Sequence, residues 1–125
     1  MPIVDVELVY QSEVEVRAVS AQAIADALGK SFGDAPGGTW VRIRFLSSTA
    51  YAENDAVVSS SELPVFVTVL HAQPPTGPSL VAEVAAVTSV VAQCVSRLPE
   101  RVHVQYAPAA AGRQAFGGRL VETRT

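Results

Sequence analysis

Apolar and polar positions along the chain run through the same succession of patterns twice. Between Pro2 and Tyr10, Val4, Val6 and Leu8 alternate with Asp5 and Glu7, the period-two signature of a strand with one buried face. Ser12 followed by Glu15 fits a capping box, and Val16, Val19, Ala23 and Ala27 supply an apolar stripe up to the stop signal at Gly33, which predicts a helix. After the Pro36-Gly37-Gly38 break, Thr39 to Leu46 reads as a second strand, with Val41, Ile43 and Phe45 on one side and Trp40, Arg42 and Arg44 on the other.

Ser47 to Leu63 turns to Ser, Ala, Asn and Asp, a connector with a short extended piece expected at Ala56 to Ser59. The scheme then restarts. Pro64 to Leu70 echoes Pro2 to Leu8, and a Pro74/Pro75/Gly77/Pro78 turn leads into a helix whose Leu80, Val84, Val87, Val91, Val95 and Leu98 fall at steps of three and four. Arg101 to Tyr106 replays Trp40 to Phe45, with His103 and Gln105 in the places of Arg42 and Arg44. The reading is a single α+β domain over residues 1–125, built from two β-α-β units near 2–60 and 64–121. Its four-stranded sheet carries both helices on one face. The other face holds Asp5, Glu7, Arg42, Arg44, His103 and Gln105 with Ile3 and Trp40, and no helix remains to cover it. Water or another subunit must lie there.

Composition narrows the function. A chain of 125 residues, 49% hydrophobic, can bury one core. Only 17% of it is charged, which suggests that copies of the chain cover part of the surface. A net charge of −3 without a Lys/Arg run excludes the electrostatic footprint of a nucleic-acid binder. Cys94 is the single cysteine, and no Cys/His cluster has zinc spacing. No basic leader or apolar run of about 18 residues stands out, so neither secretion nor a membrane span is expected. A cytoplasmic location is expected.

Met1-Pro2 leading directly into a strand, the duplicated unit, and the glycine-rich Gly112-Arg113-Gln114-Ala115-Phe116-Gly117-Gly118 tail resemble the tautomerase superfamily, of the oxalocrotonate tautomerase and macrophage migration inhibitory factor type. The resemblance spans nearly the whole chain. Leu70-His71 and Arg101-Val102 add to it. It implies a trimer, no cofactor, no metal, and Pro2 as the catalytic group once Met1 is removed. An N-terminal proline is a secondary amine able to take a proton from carbon beside a carbonyl. An ordinary α-amino group titrates at about 7.7–8.0, and burial lowers that value because the charged form loses solvation. A base poised near the working pH is the efficient one. Pro64 is the internal control: it occupies the same place in unit two, but its nitrogen is an amide and cannot act as a base. A retained Met1 would leave Pro2 in the same condition.

The resemblance also assigns substrate groups. Arg42 stands where a relative carries a substrate-binding arginine, with Arg44 two residues on, and a guanidinium suits a carboxylate and a developing enolate. Cross-strand ion pairs with Asp5 and Glu7 account for both arginines equally well. His103 and Gln105 fall where relatives line a neighbouring subunit's pocket, Trp40 falls near an aromatic at its rim, and Arg113 on the flexible tail reaches toward an adjacent site. Tyr51 is a loop donor, and Tyr106 shares the parity of Val102 and Val104 and is read as core. Tyr10-Gln11-Ser12-Glu13 and Pro74-Pro75 stand where an arginine would complete a dicarboxylate clamp. The expected activity is a keto–enol tautomerase or isomerase acting on a small carboxylate-bearing 2-oxo or aryl-oxo acid. The alternatives are a proline-dependent dehalogenase, hydratase or decarboxylase, with Glu53 or Glu62 as the water-activating acid, and a non-catalytic trimeric binding protein.

Overall fold

The computed structural model describes residues 2–123. Its sheet is laid down by four strands in the order β2-β1-β3-β4: β1 Ile3–Tyr10, β2 Trp40–Ser47, β3 Val65–Leu70 and β4 Val102–Tyr106. β1 runs parallel to β2 and antiparallel to β3, and β3 runs parallel to β4. Two β-α-β units therefore join through their first strands. The alternation read from the sequence sorts the faces as expected. Val4, Val6 and Leu8 of β1 and Val65, Val67 and Val69 of β3 are fully buried against the helices, while Asp5, Glu7 and Thr68 on the opposite side stay half-exposed.

The first helical stretch departs from its prediction. It is two helices, α1 Glu13–Ala18 and α2 Ala21–Phe32, separated by the extended Val19 and Ser20. Ser20 accepts a hydrogen bond from the Ala23 amide and so starts a new helix. That restart changes the phase, and Ile24 and Leu28 are the buried residues in place of the expected Ala23 and Ala27 stripe. Nor does Ser12 form a complete capping box. Its hydroxyl accepts from Val14, but the Glu15 carboxylate turns away to Arg97. Gly33, at φ 71, ends α2 in the left-handed conformation that an L side chain resists.

The connector holds 3₁₀ turns at Ser48–Ala50 and Ser60–Glu62, and residues 56–59 form no strand, contrary to expectation. Their lack of period-two alternation leaves nothing to anchor them on the sheet. The second unit's helix is α3 Gly77–Val95. With Glu83 its only charged residue over 19 positions, α3 is long and apolar enough by composition to cross a membrane, which corrects the expectation that no such run exists. Val87, Val91 and Val95 nevertheless pack into the core with Ile24, Leu28 and the sheet valines. After β4 the chain adds a two-stranded hairpin, β5 Ala115–Phe116 and β6 Arg119–Leu120, turning through Gly117 and Gly118 at positive φ.

Arg97, just past α3, ties the far end of the sheet together. Its guanidinium donates to the carbonyls of Leu63 (2.7 Å) and Val9 (2.9 Å) and pairs with Glu15. These carbonyls flank β3 and end β1, where the ladder alone would leave acceptors without partners.

Core truncation should be costly here. Leu28→Ala removes a fully buried side chain between α2 and the sheet and is expected to lower unfolding free energy by about 2–5 kcal/mol, read from urea melts of both proteins.

Candidate active site

Register organises the candidate residues into rows across the open face. Trp40 lies beside Ile3 and Leu70; Arg42 beside Asp5, Thr68 and Gln105; Arg44 beside Glu7, Phe66 and His103. Each row is one rung of the sheet, and successive rows are two residues apart.

The middle rung is closed on itself. Arg42 makes a bidentate pair with Asp5, through Nε at 2.6 Å and Nη2 at 2.9 Å. The Asp5 hydrogen bond holds the Arg42 guanidinium even more firmly in its charged form. Gln105 donates to the Thr68 hydroxyl at 2.9 Å. Arg44 approaches Asp5 only to 3.9 Å and makes no closer ion pair among the described residues. Thus the sequence's open choice between ion pair and substrate group separates: Arg42 is committed to Asp5 within one chain, whereas Arg44 keeps its donors. A concavity of about 610 Å³ on this face is lined by Asp5, Glu7, Arg44, Phe66, His103 and Gln105.

At the rim of that face Tyr51 and His103 converge on Phe66, with ring centroids 6.0 and 5.7 Å from it. Tyr51 donates to Glu53 at 2.6 Å, and Arg101 reaches the same carboxylate oxygen at 2.9 Å. These hydrogen bonds, from Tyr51 first and then Arg101, hold Glu53 below the usual carboxylate range and raise the Tyr51 hydroxyl in turn. Glu53 is an ion-paired acceptor here. Glu62 sits on the Ser60–Glu62 turn, where it accepts from Ser59.

Pro2 lies at the opposite end. Its side chain is fully buried, and its carbonyl accepts from the Trp40 amide at 3.0 Å. Trp40 donates its indole N–H to Gly37 and meets Phe116 edge-on at 5.3 Å, which brings the glycine-rich tail to the head of β2. Arg113 is exposed on that tail and makes no ion pair among the described residues. Pro2 lines neither the open-face concavity nor one of about 680 Å³ that Trp40 borders. Five residue steps along β1 separate Pro2 from the Glu7 rung, about 16 Å at the rise of a strand. Within one chain, then, Trp40 and the tail accompany Pro2, while Arg44, His103 and Tyr51 do not.

Sequence reasoning passed over a second polar cluster beside Pro2. His71 Nε2 lies 2.8 Å from Glu83 Oε2, and the Tyr106 hydroxyl donates to that oxygen at 2.5 Å. Tyr106 is therefore half-buried with a polar role, beyond the core packing expected of it. Glu83 offered a signal: it stands four and eight residues before Val87 and Val91, a carboxylate within the apolar stripe of α3. Among the described residues, no group of three or more His, Cys, Asp or Glu is placed to hold a metal ion.

No protein-family model matches the chain, and no curated protein matches it. Solved structures do. Macrophage migration inhibitory factor from Oncomelania hupensis is 17% identical, with TM-score 0.68, over 98% of this chain and 83% of its own. An F6 fused 4-OT, described as an asymmetric trimer, is 16% identical, with TM-score 0.73, over 94% of each chain. Malonate semialdehyde decarboxylase is 16% identical, with TM-score 0.62, over 92% of this chain and 90% of its own, and its structures address decarboxylase and hydratase activities. The chain shares its fold with these solved structures.

Because Glu53 has a lowered folded-state pKa, its ionic contacts stabilise the fold fully above the unfolded value of about 4.3 and fade as pH falls through the lower folded value. The stability difference between the native protein and Glu53→Gln should be constant above about pH 5 and shrink below about pH 4, read from denaturant midpoints across that range.

Proposed function

We propose that the chain is a cofactor-independent keto–enol tautomerase in which Pro2, freed by removal of Met1, is the general base. The observation that carries this reading is the placement of Pro2: a fully buried proline at the head of a central strand, on a fold shared with those solved structures. Burial disfavours the charged amine and keeps it ready to accept a proton. In the reaction, the imino nitrogen takes a proton from the substrate, the electron pair left behind spreads over the adjoining carbonyl, and the N–H proton returns to the other end of the enolate system. No oxidant, reductant or added water is consumed.

Substrate recognition is assigned to a small carboxylate-bearing 2-oxo or aryl-oxo acid. Arg44 is the preferred carboxylate partner, because engaging Arg42 requires opening its bidentate contact with Asp5. The separation of Pro2 from His103, Gln105 and Tyr51 within one chain favours a site completed by a neighbouring copy. A homotrimer supplies that neighbour and covers the open polar face, and the trimeric state of a fused 4-OT supports this choice.

A second reading has Pro2 protonated and acting as an acid in a hydratase or decarboxylase, favoured by the likeness to malonate semialdehyde decarboxylase. The pKa of the Pro2 amine separates the two: below neutrality for the base, above about 8 for the acid.

In protein shown by intact mass to lack Met1, conversion of phenylenolpyruvate to its keto form should exceed the buffer rate, and Pro2→Ala should reduce kcat/KM by about 10²-fold or more. Equal rates for both proteins and buffer would remove the enzyme reading. Sedimentation equilibrium should report three chains per particle, and a stable monomer would overturn the shared site.

A further inference from the structure

The His71–Glu83–Tyr106 cluster lies where the backbone register brings it against Pro2. β1 and β3 pair Ile3 with Leu70 and Val4 with Val69, so one further step sets Pro2 opposite His71. The Val9 amide donates to the Pro64 carbonyl in the same ladder. That bond makes the odd-numbered β1 positions the hydrogen-bonded pairs, and Pro2 and His71 fall among the other set, whose side chains approach more closely. Both continue the helix-facing parity of Val4 and Val69.

His71 is held on three sides. The Glu83 carboxylate of α3 meets Nε2, the Tyr106 ring of β4 stacks at 6.1 Å, and Phe32 of α2 presents its edge at 5.4 Å. The His71 and Glu83 side chains are only 15% and 17% exposed, so their charges act through poorly screened surroundings. Burial, and then the hydrogen bond to Glu83, push the Tyr106 hydroxyl above its ordinary range, which keeps it a donor. A carboxylate only accepts, so with Glu83 ionised Nε2 carries the hydrogen of that contact and Nδ1 is left without a hydrogen bond among the described residues.

We infer that His71, gripped by Glu83 and Tyr106, is a positioning residue for Pro2, and that this cluster sets how tightly the imino nitrogen holds a proton. The inference rests on the reading of Pro2 as the mature amino terminus. Burial alone drives the amine toward a weak base, whereas the Glu83 charge favours the protonated form and returns the nitrogen toward neutrality, where a base works best. The cluster's ionisable members are His71 just past β3, Glu83 from α3 and Tyr106 from β4, while α2 contributes the uncharged Phe32. On the β2 side, Lys30 and Asp34 line the concavity bordered by Trp40, with Asp34 bonded to Thr39. Asp5 belongs to the open face and is paired with Arg42.

The experiment titrates the Pro2 nitrogen directly, by NMR of Met1-free protein carrying isotope-labelled proline, so it needs no turnover. Glu83→Gln should lower the Pro2 pKa by on the order of one pH unit, and the acidic limb of the tautomerase pH profile should move with it. Tyr106→Phe removes a hydrogen bond from the same carboxylate but leaves its charge, and should move the Pro2 pKa far less. His71→Gln, which removes the ring held by Glu83 and Tyr106, should displace the Pro2 pKa from its native value, a readout that survives if Glu83→Gln does not fold. A Pro2 titration unmoved in folded Glu83→Gln or in folded His71→Gln overturns the inference. An unperturbed Pro2 pKa of about 7.7–8.0 instead overturns the reading of Pro2 as a tuned base, whichever way the cluster behaves.

Discussion

The alternation of β1 is the constraint on which the rest of the structure depends. β1 is bonded on both sides, to β2 and to β3, so its backbone donors and acceptors are satisfied along its length and its two faces are sorted without ambiguity. A slip of one residue would turn Val4, Val6 and Leu8 out of the core and bring Asp5 and Glu7 into it. The same register carries Pro2 to a buried position, so the strand that organises the core also prepares the environment of its first nitrogen.

Charge is distributed at three separate places, each with its own consequence. At the far end of the sheet Arg97 serves the backbone, donating to carbonyls where β1 ends and β3 begins. On the open face Asp5 occupies Arg42 and leaves Arg44 nearly unclaimed. Beside Pro2, Glu83 of α3 gathers His71 and Tyr106 in partly buried surroundings. The rungs of the open face set Arg44 and His103 far along β1 from Pro2 within one chain.

Much of the architecture was legible because periodicity reports burial directly. Both β-α-β units, the pairing of like strands and the sorting of Arg42, Arg44, His103 and Gln105 onto the uncovered face follow from steps of two and of three to four. The errors have local causes. Ser20 competes for backbone amides and splits the first helix, which moves the buried stripe to Ile24 and Leu28. Glu15 finds a better partner in Arg97, 82 residues away, than in its own helix end. The 56–59 segment has no alternating pattern to hold a strand, and it forms none.

What the sequence determined by itself was the succession of elements, the polarity of each sheet face and the position of a proline at the head of a strand, because those follow from nearest-neighbour spacing along the chain. Only the tertiary structure decided which arginine Asp5 claims, where the tail meets Trp40, and that His71, Glu83 and Tyr106 meet beside Pro2. Those outcomes depend on strand register and on helix placement over the sheet, which bring together residues 12 to 76 positions apart, and no local pattern records such distances.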